Sequence, residues 1–163
     1  MRISAVLLLA LTCTAVAVAA PARTQVSTRS TTLGSVLVDS RGHTLYVFDL
    51  DHGTKSSCLG ACTASWHAFL TSGKPVAHHG VSAAKLGRAK RASGKFQVTF
   101  MGHPLYFYVG DKKAGDVRGA SIAHWAAFSP TGARLRAAAP KTPTPTPAPP
   151  TTTAPGYDAG GGY

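Results

Sequence analysis

The chain has 163 residues, with seventeen Lys and Arg against six Asp, no Glu, and a formal net charge of +11. Once low-complexity ends are set aside, roughly 110 residues remain, which suits one small domain and excludes a multidomain machine. A paired-carboxylate hydrolase would have to draw both groups from a few Asp, and no G-x-S-x-G, H-E-x-x-H or phosphate-loop motif occurs, so the composition points away from an enzyme.

In chain order, Arg2 precedes an uncharged Ala/Leu/Val-rich run over 5–20 that ends in Ala17-Val18-Ala19, the pattern of a secretory signal peptide over 1–22. Cys13 inside that run offers a lipidation site, although Leu11-Thr12 before it fit the lipidation signal poorly. A short linker is expected over 23–32 and a β-rich domain over 33–138. β-Branched runs predict strands at 35–39 and 44–48 around a turn at 40–43, where Gly42 is free to take a positive φ. Alternation then predicts a three-stranded meander over 87–92, 95–100 and 105–109, turning at Gly94 and Gly102. Short helical turns or compact loops are expected at 62–69 and 121–128, each carrying a Trp, and another helical turn at 82–86. A Pro/Thr/Gly-rich tail over 139–163 has too little apolar surface to offset the entropy of ordering it.

The domain repeats itself. GHTLYVFDLD at 42–51 returns as GHPLYFYVGD at 102–111, and GACTASWHAFL at 60–70 returns as GASIAHWAAFS at 119–129. Two matched pairs at nearly one offset predict a duplicated unit, one copy over about 34–72 and the other over about 86–132, that pack together to close a core. The expected fold is mostly β: an antiparallel hairpin or meander in each unit, followed by a short helical turn with its Trp.

Both copies fit Y-x-[FWY]-x-x-D, at Tyr46, Phe48 and Asp51 and again at Tyr106, Tyr108 and Asp111. A Cys-x-x-x-Cys precedes Trp66, and Trp125 is followed by Ser129-Pro130 and Gly132. These features resemble the bacterial secreted-repeat lipoproteins of unknown function that carry this motif. The chain departs from that pattern at His67-Ala68, where the family usually has Pro. The resemblance implies a secreted address and a two-unit architecture, and it supplies no catalytic residues.

Three sets of candidate residues remain. Tyr46, Phe48, Asp51, Tyr106, Tyr108 and Asp111, with Trp66 and Trp125, could line two equivalent ligand sites or could fill a core and cap turns; the structural role is favoured. Cys58 and Cys62, the two thiols left after signal removal, are expected to pair in an oxidising compartment. Reduced, they could with His67 hold Cu(I), or they could shuttle electrons; no cofactor is otherwise expected. Fifteen Lys and Arg face five Asp between residues 23 and 139, with small clusters at 88–91 and 112–113. That surplus suits anionic cell-wall polymers or a lipid surface rather than a specific nucleic acid. The expected function is a non-catalytic binding or structural role at anionic envelope material, with copper handling or thiol redox as the alternative.

Overall fold

Short β-branched and aromatic runs broken by glycine turns leave little sequence for helix. The computed structural model describes residues 23–137 and is accordingly built from short strands. They are β1 (Gln25–Thr31), β2 (Gly34–Val38), β3 (Tyr46–Phe48), β4 (Trp66–Ala68), β5 (Leu70–Thr71) and β6 (Val76–Ala77) in the first half. In the second half come β7 (Leu86–Lys90), β8 (Phe96–Phe100), β9 (His103–Pro104), β10 (Tyr106–Tyr108), β11 (Trp125–Phe128) and β12 (Arg134–Leu135). One helical turn, α1 (Cys62–Ser65), precedes β4, and 3-10 turns lie at Ala83–Lys85 and Arg118–Ser121. The expected signal peptide, Cys13 and the tail fall outside the described residues.

The central sheet runs β12-β11-β3-β10-β4. Its pairing crosses between the two units: β4 of the first pairs with β10 of the second, and β11 of the second pairs with β3 of the first. At the centre Tyr46 lies directly opposite Tyr106. Outward from that pair, Phe48 faces Trp125 and Tyr108 faces Trp66, so residues related by the repeat occupy related places about a local two-fold axis. The hairpin β1–β2 in the first unit corresponds to β7–β8 in the second, closed at Gly34 and Gly94.

Alternation along these strands divides the core into two layers. Leu45, Val47 and Leu105 point into one layer with Leu37, Val98 and Phe100. Tyr46, Tyr106, Trp66 and Trp125 point into the other with Val36 and Cys58. At Gly42 the backbone takes φ +84°, a conformation that L side chains rarely adopt, so this turn favours glycine.

Two expectations need correction. Residues 25–31 form β1, not part of a linker; β1 pairs antiparallel with β2 and parallel with β6. Apart from Val26, its residues are Gln, Ser, Thr and Arg, and a strand that buries one apolar side chain shows no alternation to detect. The helical turns are shorter than expected: Trp66 caps Cys62–Ser65 by donating its N–H to the Cys62 carbonyl and opens β4, and Trp125 opens β11. Before the two Trp, helix is confined to Cys62–Ser65 and to the 3-10 turn at Arg118–Ser121. Ala-rich composition favours helix only weakly, and pairing with the other unit's strand overrides it.

Candidate functional site

Strand alternation and cross-unit pairing bring all eight repeat-motif residues together. Phe48, Trp125, Trp66 and Tyr108 form one continuous stack. The two indoles lie 3.6 Å apart and 4° from parallel, Phe48 is 4.4 Å from Trp125, and Tyr108 is 4.6 Å from Trp66. Tyr46 meets Trp66 edge-on at 5.3 Å, and Tyr106 meets Trp125 edge-on at 5.1 Å. Both contacts are favourable aromatic geometries. Gly119 completes the packing, because a Cβ there would stand 2.8 Å from the Trp66 ring and 2.9 Å from Tyr46.

The hydroxyls of the two central tyrosines reach across the repeat. Tyr46 donates to Asp111 Oδ2 at 2.6 Å, and Tyr106 donates to Asp51 Oδ2 at 2.8 Å. The other oxygen of each carboxylate accepts a backbone N–H from its own loop, Ser57 at 2.7 Å and Arg118 at 3.0 Å. Each Asp therefore fixes a loop of its own unit to a tyrosine of the other.

Burial raises the pKa of both hydroxyls, and the Asp111 hydrogen bond and charge raise Tyr46 further. A folded-state value above the unfolded value of about 10 contributes stability that is full below that pH and is lost as pH rises through the folded value. Unfolding free energy should therefore decline above about pH 10. Phenolate absorbance from Tyr46 and Tyr106 should appear together with loss of the fold, and Tyr46→Phe with Tyr106→Phe should flatten the decline. Phenolate titrating ahead of unfolding would contradict this. Burial also raises Asp51 and Asp111, so their contribution is present below the unfolded value of about 4 and lost as pH rises through the folded one.

Cys58 and Cys62 are joined in a disulfide with Cα atoms 5.3 Å apart. Cys58 packs in the Trp layer, whereas His67, next to Trp66 on β4, points to the opposite face and is exposed. The three candidate copper ligands therefore do not converge. Among the described residues no group of three His, Cys or Asp side chains is placed to hold a metal ion.

Two cavities flank this assembly. The smaller, about 270 Å³, brings His43 and His67 beside Asp111 and Tyr108. Its carboxylates are already engaged, since Asp39 Oδ1 accepts the backbone N–H groups of Arg41 and His43, and Asp111 holds the contacts above. The larger, about 530 Å³, lies between the 54–59 loop and β7. Lys55, Arg88, Lys90 and Arg91 line it, with Ser56, Gln97 and Leu59, and no carboxylate does. Tyr106 builds its loop wall: its hydroxyl donates its one proton to Asp51 and accepts from Ser56 Oγ at 2.7 Å. Arg91 joins the two walls, donating to the Cys58 carbonyl at 3.1 Å and to Gln97 Oε1. The 88–91 run was visible in the sequence. Lys55, more than thirty residues earlier, was not, because only the cross-unit Tyr106 contact and the disulfide-tied loop bring it there.

A family model described as a secreted repeat of unknown function matches residues 27–69 and 87–127, together just over half of the chain. The two matches begin at equivalent points of β1 and β7, so the first unit includes the hairpin β1–β2. No curated protein and no solved structure matches the chain.

Proposed function

The chain belongs to this family of secreted repeats, and on that premise we propose a non-catalytic protein of the cell envelope or its surroundings that binds anionic material through its positive surface. One observation carries this reading: every Asp between residues 23 and 137 is engaged within the chain. Asp51 and Asp111 hold the tyrosines, and Asp39 and Asp116 accept backbone N–H groups of their own turns. Asp49 pairs with Arg134 at 3.0 Å and Arg136 at 2.5 Å. The rest of the Lys and Arg surplus is left for an outside partner. The motif aromatics, packed against one another, support a role for Tyr46, Tyr106, Trp66 and Trp125 in joining the units. Among the described residues no helix is long and apolar enough to cross a membrane.

The test is sedimentation of the purified protein with isolated cell walls over a range of salt. Interactions between exposed charges are screened beyond about 10 Å at 0.1 M salt, so binding should be strong at low ionic strength and fall steeply as salt is added. Absent binding, or binding indifferent to salt, would remove the proposal.

A further inference from the structure

We propose that the 530 Å³ cleft between the 54–59 loop and β7 is a phosphodiester-binding site that takes consecutive phosphates of a polyol-phosphate chain. This rests on the anionic-binding reading above and assigns it a place and a ligand chemistry.

Four basic residues from two distant segments line one cavity. Lys55 is set by the tight turn in which His52 and Lys55 exchange both backbone hydrogen bonds, at 3.1 and 3.0 Å. Arg88 and Lys90 lie two apart on β7 and so share one face of this edge strand, with the Arg88 guanidinium 4.2 Å from the Phe96 ring centre, while Arg91 and Gln97 lie toward the other face. Among the described residues none of the four forms an ion pair within 4 Å.

Edge strands carry Lys and Arg as protection against stray pairing, and that alone would account for Arg88 and Lys90. It does not account for Arg91. This half-buried guanidinium is oriented by two neutral acceptors, the Cys58 carbonyl and the Gln97 amide oxygen. Gln97 is itself buried and held by its own donation to the Leu105 carbonyl at 2.8 Å. A guanidinium held by neutral acceptors, with the Asp51 carboxylate near but beyond 4 Å, is pre-organised for an anion.

The remaining lining narrows the class. One cation would satisfy a single carboxylate, whereas four suit a chain of repeated charges, and guanidinium groups match phosphate oxygens in pairs. The Thr54 hydroxyl suits ester oxygens and polyol hydroxyls. Leu59, 60% exposed at the cleft, offers apolar contact to the carbon units between phosphates. The cavity falls within the roughly 300–1,000 Å³ range of sites for small ligands.

The experiment compares full-length protein with two variants of equal charge. Lys55→Gln/Arg88→Gln/Lys90→Gln strips the cleft, whereas Lys74→Gln/Lys112→Gln/Lys113→Gln strips the surface elsewhere. All six residues are exposed, and circular dichroism checks that both variants fold. The probes are a glycerol-phosphate hexamer by calorimetric titration and phosphatidylglycerol/phosphatidylcholine vesicles by cosedimentation, which separate a soluble polymer from a lipid headgroup as the source of the phosphodiester.

The cleft variant should lose roughly tenfold or more in affinity for the bound probe, with a shallower salt dependence, and the control less than about twofold. Equal losses from both variants would overturn the site while leaving the envelope-binding reading intact. So would wild-type binding to cell walls but to neither probe, or equal affinity for a DNA duplex of matched phosphate number. Failure of the wild type to bind the probes or cell walls would overturn both.

Discussion

Replacing Trp125 or Trp66 with alanine should destabilise the domain by about 3–5 kcal/mol each, a large part of the roughly 5–15 kcal/mol that holds a domain of this size together. The two indoles are 3% and 5% exposed and stacked on each other; Trp125 also stacks on Phe48, Trp66 meets Tyr108 at a tilt of 34°, and each indole carries an edge-on tyrosine. Each also opens the strand that pairs its unit to the other's motif strand, so truncation leaves a cavity at the junction of the two halves. Urea denaturation followed by far-UV circular dichroism would measure the loss. The double variant should lose less than the sum, because the first truncation already breaks the stack. Trp→Phe variants, which keep a ring there, should retain most of the stability. An alanine variant within about 1 kcal/mol of wild type, the centre of the range for ordinary point mutations, would show that the stack does not join the units.

The second large effect is a coupling with a direction. Combining Tyr46→Phe with Asp111→Asn should give an interaction energy of about 1.5–3 kcal/mol, the range for hydrogen bonds to charged groups. Tyr106→Phe with Asp51→Asn should behave likewise. Tyr46 combined with Asp51, its neighbour in the same motif copy, should be additive within about 0.5 kcal/mol, as for independent sites. The structure makes the bond between copies, at 2.6 and 2.8 Å. Denaturation midpoints of the single and double variants would decide the matter. Coupling found inside one copy and absent between copies would mean that the two units close on themselves.

Much of this could be read from the chain. The duplication follows from GHTLYVFDLD and GHPLYFYVGD alone, and the separation of Leu45 and Val47 from Tyr46 and Phe48 follows from alternation. The Cys58–Cys62 bridge follows from a spacing that brings the two α-carbons close enough to bond. What could not be read depends on long-range pairing. The stretch around Trp125 is Ala-rich and looks helical, and only β3 from the other unit makes it a strand. The partner of each tyrosine lies 55 or 65 residues away, so a motif written as one contiguous string conceals that its two ends bond to the other copy. The basic cleft has the same origin, since Lys55 and Arg88 meet only after the units have exchanged strands.

That exchange governs the order in which the chain can fold. Among the described residues β3 pairs only with β10 and β11, and β4 only with β10. A chain growing from its N-terminus can close the β1–β2 hairpin early, but it must hold Tyr46 and Trp66 in waiting until residue 106 and beyond have been made. Contacts of such sequence separation favour slow folding with late commitment. They also mean that neither unit is a module in the sense of something that can be removed, transplanted or shortened. A lone first unit would leave β3 without either neighbour and β4 without its partner, and a symmetric pair of identical chains is the assembly that would supply both.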